Sequence, residues 1–107
     1  MADKKTVESV LLELAAGLRR VYGERLVGVY LFGSWARGDA TDHSDIDVAV
    51  VLKEPVDVWQ ELKHCSGLRA EICLKNDVCV NLTFLPRSRL EEGQGLAAIV
   101  RAEGVPL

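Results

Sequence analysis

Two short runs of almost wholly apolar residues constrain the fold of this chain more than any other feature. The first run, LVGVYLF, extends from Leu26 to Phe32, and the second, DIDVAVVL, extends from Asp45 to Leu52. Runs of this length, bounded by polar turn residues and rich in β-branched side chains, are typical of strands that are covered on both faces. We therefore predict two buried β-strands at these positions.

Helical periodicity lies on both sides of this pair of strands. Apolar residues between Val7 and Tyr22 recur every three or four positions, which predicts an amphipathic helix with Thr6 as its N-cap. A short helix is predicted from about Pro55 to Cys65, because Pro55 suits a first helical turn. The sequence Ser88-Arg89-Leu90-Glu91 is a capping box, and it predicts a last helix that ends near Gly104.

The segment between the last two helices predicts a β-hairpin. Its strands are Ala70 to Leu74 and Val78 to Leu85, joined by a Lys-Asn-Asp linker that has the composition of a turn. Placing the apolar residues of both strands on one face sets the register, which puts Glu71 opposite Asn81 on the other face. The same register brings together two cysteines, Cys73 and Cys79.

Length, charge and cysteine content exclude several classes of protein. A chain of 107 residues forms one small domain, so we predict a single domain over residues 1–107. The net charge of −3 makes nucleic acid an unlikely main partner, because a phosphate backbone calls for a basic surface. No apolar run reaches the length of a membrane span, and three cysteines without a C-x-x-C spacing support neither a disulfide framework nor a zinc site. We expect a soluble, cytoplasmic protein.

The residues from Gly33 to Asp47, which leave the first apolar run and enter the second, carry the chemistry. Asp45 and Asp47 are two positions apart on a predicted strand, so both carboxylates project from the same face. Two such carboxylates repel each other unless a cation lies between them, and hard oxygen ligands at this spacing suit Mg²⁺. Gly33 and Ser34 form a turn whose backbone N–H groups and hydroxyl can approach the phosphates that Mg²⁺ carries.

A phosphate-binding P-loop is excluded at this turn. Gly33 and Gly38 have the G-x-x-x-x-G spacing of that motif. Asp39 and Ala40 then occupy the two positions where the motif requires Lys and Ser or Thr.

The segment GSWARGDATDHSDIDVAV, in which Gly33-Ser34 is followed after ten residues by Asp45-x-Asp47, resembles the signature of the DNA polymerase β-type nucleotidyltransferases. The similarity is greatest to the minimal nucleotidyltransferases of prokaryotes, small domains often encoded beside a HEPN-domain protein as toxin–antitoxin pairs. This resemblance implies an α+β, palm-like fold in which a small mixed β-sheet is packed by helices.

The resemblance also implies a role for each residue of the signature. Gly33 and Ser34 would bind the phosphates of ATP or another NTP, with Arg37 near a phosphate or the acceptor. Asp45 and Asp47 would bind two Mg²⁺ ions. The family usually has a third carboxylate on a following strand, where this chain has Asn81. The hairpin register offers Glu71 as a substitute, so we predict Glu71 as a third catalytic carboxylate.

Three functions follow from these observations. The first is a nucleotidyltransferase that transfers AMP to a hydroxyl of a partner protein, such as a HEPN-type toxin. The second is a catalytically degenerate module of the same fold that acts by binding its partner, which Asn81 favours. The third is a structural domain without a nucleotide site.

Overall fold

The computed structural model describes residues 3–107 and shows a four-stranded mixed sheet packed by helices. The strands and helices, in chain order, are α1 (Lys4–Tyr22), β1 (Leu26–Phe32), α2 (Ser34–Arg37), β2 (Ile46–Leu52), α3 (Val58–Asn76), β3 (Val80–Pro86), α4 (Arg87–Glu92), α5 (Leu96–Glu103) and β4 (Val105–Pro106). A 3₁₀ turn, Gly23–Arg25, joins α1 to β1. This architecture confirms the predicted α+β class with a small mixed sheet.

The sheet has the strand order β3-β2-β1-β4. β1 pairs antiparallel with β2 and with β4, whereas β2 and β3 are parallel and are connected by α3. The two strands predicted from the apolar runs are therefore the two central strands. The start of β2 and the start of β3 meet at one end of the sheet, beside the C-terminal end of β1.

Helices cover both faces of the central strands. On one face, α1 and α3 enclose a core that includes Leu14, Leu18, Val48 and Val50, all fully buried. On the other face, α5 packs on Val51 and its neighbours. The alternating side chains of β2 thus enter two separate cores, which explains why the strand is apolar at nearly every position.

The predicted hairpin is wrong, because α3 continues through its first strand and ends at Asn76. Cys65 and Ile72 are buried seven positions apart on the same helical face, so the apolar residues follow helical periodicity there. The expected turn is instead the helix end, where Asp77 adopts a left-handed conformation with φ of 51°. The pairing that placed Glu71 opposite Asn81 does not exist, nor does the cross-strand pair of cysteines.

Several helix boundaries also differ from prediction. α1 begins earlier, with Asp3 as its N-cap accepting the N–H of Thr6 at 2.8 Å. α3 begins after Asp57 rather than at Pro55. The last helix is broken into α4 and α5 at two glycines with positive φ, Gly93 and Gly95. Within residues 3–107, no helix combines the length and apolar character needed to cross a bilayer.

Candidate active site

A sharp turn after β1 brings Gly33 against the carboxylate of Asp47. Gly33 is buried and has φ of 79°, a conformation that favours glycine. A Cβ at this position would collide with Asp47 Oδ2. The turn continues into the single helical turn of α2, whose Trp35 donates its Nε1–H to the carbonyl of Ser44 at 3.3 Å. That bond ties the turn to the loop that delivers Asp45.

Asp45 and Asp47 lie at the N-terminal end of β2. Asp45 directly precedes the strand and is exposed, and Asp47 lies within it and is partly buried. In the sheet, Asp47 pairs with Phe32 of β1 and with Asn81 of β3. The predicted placement of the two acids at the mouth of a buried strand is what the structure contains.

Asn81 joins the two acids through its side-chain amide. Its Nδ2 donates to Asp45 Oδ2 and to Asp47 Oδ1, each at 3.2 Å. Two carboxylates that share one donor converge closely enough to share a divalent cation, which takes one or two carboxylates together with phosphate and water oxygens. The donor set therefore fits Mg²⁺. Among residues 3–107, no group of three His, Cys, Asp or Glu side chains is arranged to hold a metal ion.

Glu103, a residue that the sequence analysis missed, lies against the turn. Its Oε1 accepts the backbone N–H of Gly33 at 2.9 Å and a hydrogen bond from Arg37 Nη1 at 3.3 Å. Asp39 and Glu103 both hold the Arg37 guanidinium and raise its pKa, Asp39 having the larger effect. The turn with Arg37 thus already binds an anionic group of the chain itself.

The position of Glu103 follows from the pairing of β4 with β1. Val105 is the antiparallel partner of Leu31, and Pro106 is the partner of Tyr30. Continuing this register by two residues places Glu103 opposite Gly33. The sequence carries no pattern that predicts this contact, because β4 is two residues long and pairs with residues more than 70 positions earlier in the chain.

Glu71 lies outside this arrangement. It is exposed on α3, and its charge acts on Lys75 one helical turn away, where it helps to raise the pKa of the amine after the larger effect of Glu13. No hydrogen bond or ion pair joins it to Asp45 or Asp47 among the described residues. The argument for Glu71 as a third carboxylate falls with the hairpin.

Cys79 is the remaining reactive group beside the acids. The carbonyl of Cys79 accepts the N–H of Ile46 at 2.9 Å, which fixes the start of β3 against the start of β2. Cys79 is exposed, and desolvation by its neighbours, followed by the effect of the adjacent Asp45 carboxylate, raises the pKa of its thiol. The direction of this shift is away from the lowered pKa of a reactive thiolate.

Comparison with known proteins gives a consistent family. Residues 12–103 match the family described as the nucleotidyltransferase domain. Protein adenylyltransferase MntA of Thermococcus cleftensis is 31% identical over 84 residues, which cover 73% of this chain and 83% of that protein. A relative from Methanocaldococcus jannaschii with protein adenylyltransferase in its name is 37% identical over 51 residues, 48% of this chain but only 35% of its own length.

Solved structures have the same fold. A structure described as a "putative minimal nucleotidyltransferase" superimposes with a TM-score of 0.69 at 26% identity, covering 99% of this chain and 97% of that one. A chain from the complex of a tri-AMPylated HEPN toxin of Shewanella oneidensis with an MNT antitoxin gives a TM-score of 0.53 at 22% identity, covering 91% and 70%.

Proposed function

This chain belongs to the nucleotidyltransferase domain family, as a minimal nucleotidyltransferase, and from that premise we propose that it transfers AMP from ATP to a hydroxyl of a partner protein. The partner we propose is a HEPN-domain protein, so that the chain acts as the antitoxin of a toxin–antitoxin pair. The name of the Thermococcus relative and the AMPylated toxin in the Shewanella complex support this proposal.

One observation carries the proposal. The turn at Gly33 holds a carboxylate through its backbone N–H, directly beside two carboxylates that converge on a single donor. An anion site next to a cation site is the arrangement that a metal–nucleotide complex requires, because its phosphates are bound partly by the protein and partly by the metal.

Each residue has a distinct task in the proposed reaction. Gly33 and Ser34 bind the β- and γ-phosphates through the backbone N–H and the hydroxyl, and Arg37 offsets their charge. Asp45 and Asp47 hold Mg²⁺, two ions in our proposal. When bound, the metal stabilises the negative charge that develops on the phosphate oxygens. The N-terminal end of β2 is paired with β1 on one side and with β3 on the other, which keeps these groups aligned.

The transfer step requires no reactant other than ATP and the acceptor hydroxyl. The acceptor oxygen forms a bond with the α-phosphorus as the bond from that phosphorus to the oxygen bridging to the β-phosphate breaks, and pyrophosphate leaves. The proton of the acceptor hydroxyl passes to water or to the carboxylate of Asp45 or Asp47, because the amide of Asn81 cannot accept it. We therefore expect slow transfer compared with a site that has three carboxylates.

Labelled ATP tests the proposed function. The protein is incubated with Mg²⁺ and an extract of the native host, once with ATP labelled at the α-phosphorus and once with ATP labelled at the γ-phosphorus. AMP transfer labels a protein band only in the first reaction and releases pyrophosphate in both. An Asp47→Asn protein is the matched control. Label from the γ position would mean a kinase, and no label from either would remove the activity.

Asn81 favours a second function, that of a module which neutralises its partner by binding alone. Under this alternative, the nucleotidyltransferase fold and the surface that binds the partner protein are retained, and the two acids no longer take part in transfer. The Asp47→Asn protein separates the two functions. It would still neutralise a HEPN partner if binding is sufficient, and it would fail if AMP transfer is required.

A further inference from the structure

The groups of the proposed site follow one another across the strands of the sheet, and their order indicates where the acceptor enters. This inference rests on the proposed function. The anion-binding turn follows β1, the two acids begin β2, and Asn81 begins β3. In phosphoryl transfer, the attacking and leaving oxygens lie roughly in line on opposite sides of the phosphorus. If pyrophosphate leaves toward Gly33, the acceptor must arrive from the opposite side, beside Asn81 and β3.

A cleft of about 520 Å³ opens at the β3 edge of the sheet, between α3 and β3. It is lined by Leu62, Ser66, Arg69, Ala70, Asn81 and Leu82. Asn81 belongs both to this cleft and to the acid pair, since its amide contacts both carboxylates at 3.2 Å. Asp47 and Asn81 alternate with the residues that face α3, so the acid pair lies on the α5 side of the sheet and Asn81 connects it with the cleft around the β3 edge.

Arg69 gives the cleft a specific charge. Its Nε donates to the carbonyl of Val80 at 2.6 Å, which holds the partly buried guanidinium in position. Within residues 3–107, its terminal nitrogens have no carboxylate partner, although the chain is acidic overall. A fixed guanidinium with free N–H groups matches the planar geometry of a carboxylate.

Apolar side chains continue the surface along α3. Trp59, Leu62, Ser66 and Arg69 follow helical spacing on one face, and Trp59 is 76% exposed. Arg69 lies ten positions after Trp59 on the helix, a distance of about 15 Å along its axis, which is the length of about five residues of extended peptide. A bound segment that reaches Arg69 at one end would contact the two apolar side chains at the other.

We propose that this cleft, which we call the Arg69 cleft, binds the acceptor segment of the partner protein. The segment carries an acidic residue next to the modified hydroxyl and an apolar residue about four or five positions away. Arg69 binds the carboxylate, and Leu62 with Trp59 binds the apolar side chain. The phosphates of the nucleotide bind on the other side of the acid pair, at the Gly33 turn. The cleft therefore binds the acceptor and not ATP.

Peptide binding without nucleotide tests the cleft independently of catalysis. Two fluorescent peptides are compared, each with a central tyrosine, an apolar residue five positions away, and either Glu or Lys beside the tyrosine. We expect the wild-type protein to bind the Glu peptide at least about tenfold more tightly, as one charge-assisted contact implies. Arg69→Glu should reverse this preference, and Arg69→Gln should abolish it.

Arg20→Glu is the matched control, because Arg20 is exposed on α1 and the substitution changes the net charge equally. It should leave the peptide preference intact. The affinity for Mg·ATP is measured in every variant. Equal binding of both peptides, or a loss of Mg·ATP affinity in Arg69→Gln, would overturn the assignment to the acceptor. If the charge preference is present but no AMP is ever transferred, the proposed function fails and the cleft stands.

Discussion

The carboxylate of Glu103 accepts the backbone N–H of Gly33 at 2.9 Å, in the place where the proposed function puts a nucleotide phosphate. Glu103 is only 21% exposed in its side chain and also contacts Arg37. It holds the turn and its arginine in position with a negative charge of its own. Under the proposed function, ATP must displace this carboxylate, because one N–H and one guanidinium cannot bind two anions in the same place.

We therefore expect Glu103→Gln to bind Mg·ATP more tightly than the wild type. The amide keeps a weaker contact with Gly33 but no longer competes as an anion, so the gain should be about fivefold, or about 1 kcal/mol. Isothermal titration measures it. Glu92→Gln makes the same change of net charge on exposed α4 and should have no effect. Weaker binding in Glu103→Gln would mean that Glu103 supports the turn rather than competing for it.

Asp45→Asn and Asp47→Asn should each abolish AMP transfer and keep the fold. Both side chains lie at the solvent-facing mouth of β2, where each contributes a negative charge that repels the other. We expect melting temperatures equal to or above that of the wild type in the absence of metal. Added Mg·ATP should raise the melting temperature of the wild type only. Full transfer by either variant would contradict the assignment of both acids to the metal.

Gly33→Ala should abolish transfer by displacing Asp47. The new methyl group would collide with Asp47 Oδ2, in a backbone conformation with φ of 79° that already disfavours alanine. Gly38→Ala is the control, because Gly38 has φ of 84° but open space around its Cβ position. Both variants should lose melting temperature, and only Gly33→Ala should lose activity. Loss of activity in both would mean that flexibility of the turn, not the Asp47 contact, matters.

The sequence predicted the central strands and the acid pair because those features depend on neighbouring residues. The run from Ile46 to Leu52 is buried on both faces, and residues two apart on a strand must share a face. The segment around Glu71 misled because Glu71-Ile72-Cys73 alternates like a strand while Ile72 is also in helical phase with Cys65. Short apolar patterns do not separate these two periodicities.

Contacts between residues far apart in the chain could not be predicted from the sequence, for a different reason. Glu103 reaches Gly33 only because β4 pairs with β1, and a pairing of two residues leaves no recognisable pattern. The position of the Arg69 guanidinium likewise depends on a distant contact, the hydrogen bond from its Nε to the carbonyl of Val80 in β3. The position of Glu103 follows from the β4–β1 register, and that of Arg69 follows from the packing of α3 beside β3.

Asn81→Asp decides whether the native site is an efficient or an impaired enzyme. The substitution places a third carboxylate beside Asp45 and Asp47, where Asn81 now donates to both at 3.2 Å. Without metal, the loss of these two hydrogen bonds and the added repulsion should lower the melting temperature. With Mg²⁺, the third anionic ligand should raise metal affinity, and it can accept the proton of the acceptor, so transfer should accelerate by about tenfold or more.

Glu71→Gln is the matched control, because it removes a carboxylate from the neighbouring helix α3 that faces Lys75 rather than the acids. We expect it to leave transfer unchanged, and a large loss would restore Glu71 to the site despite its position. Faster transfer in Asn81→Asp would mean that the native chain gives up speed in return for a stable metal-free fold. No acceleration, with Mg²⁺ affinity raised, would mean that proton removal does not limit the reaction and that two carboxylates are sufficient for the chemistry.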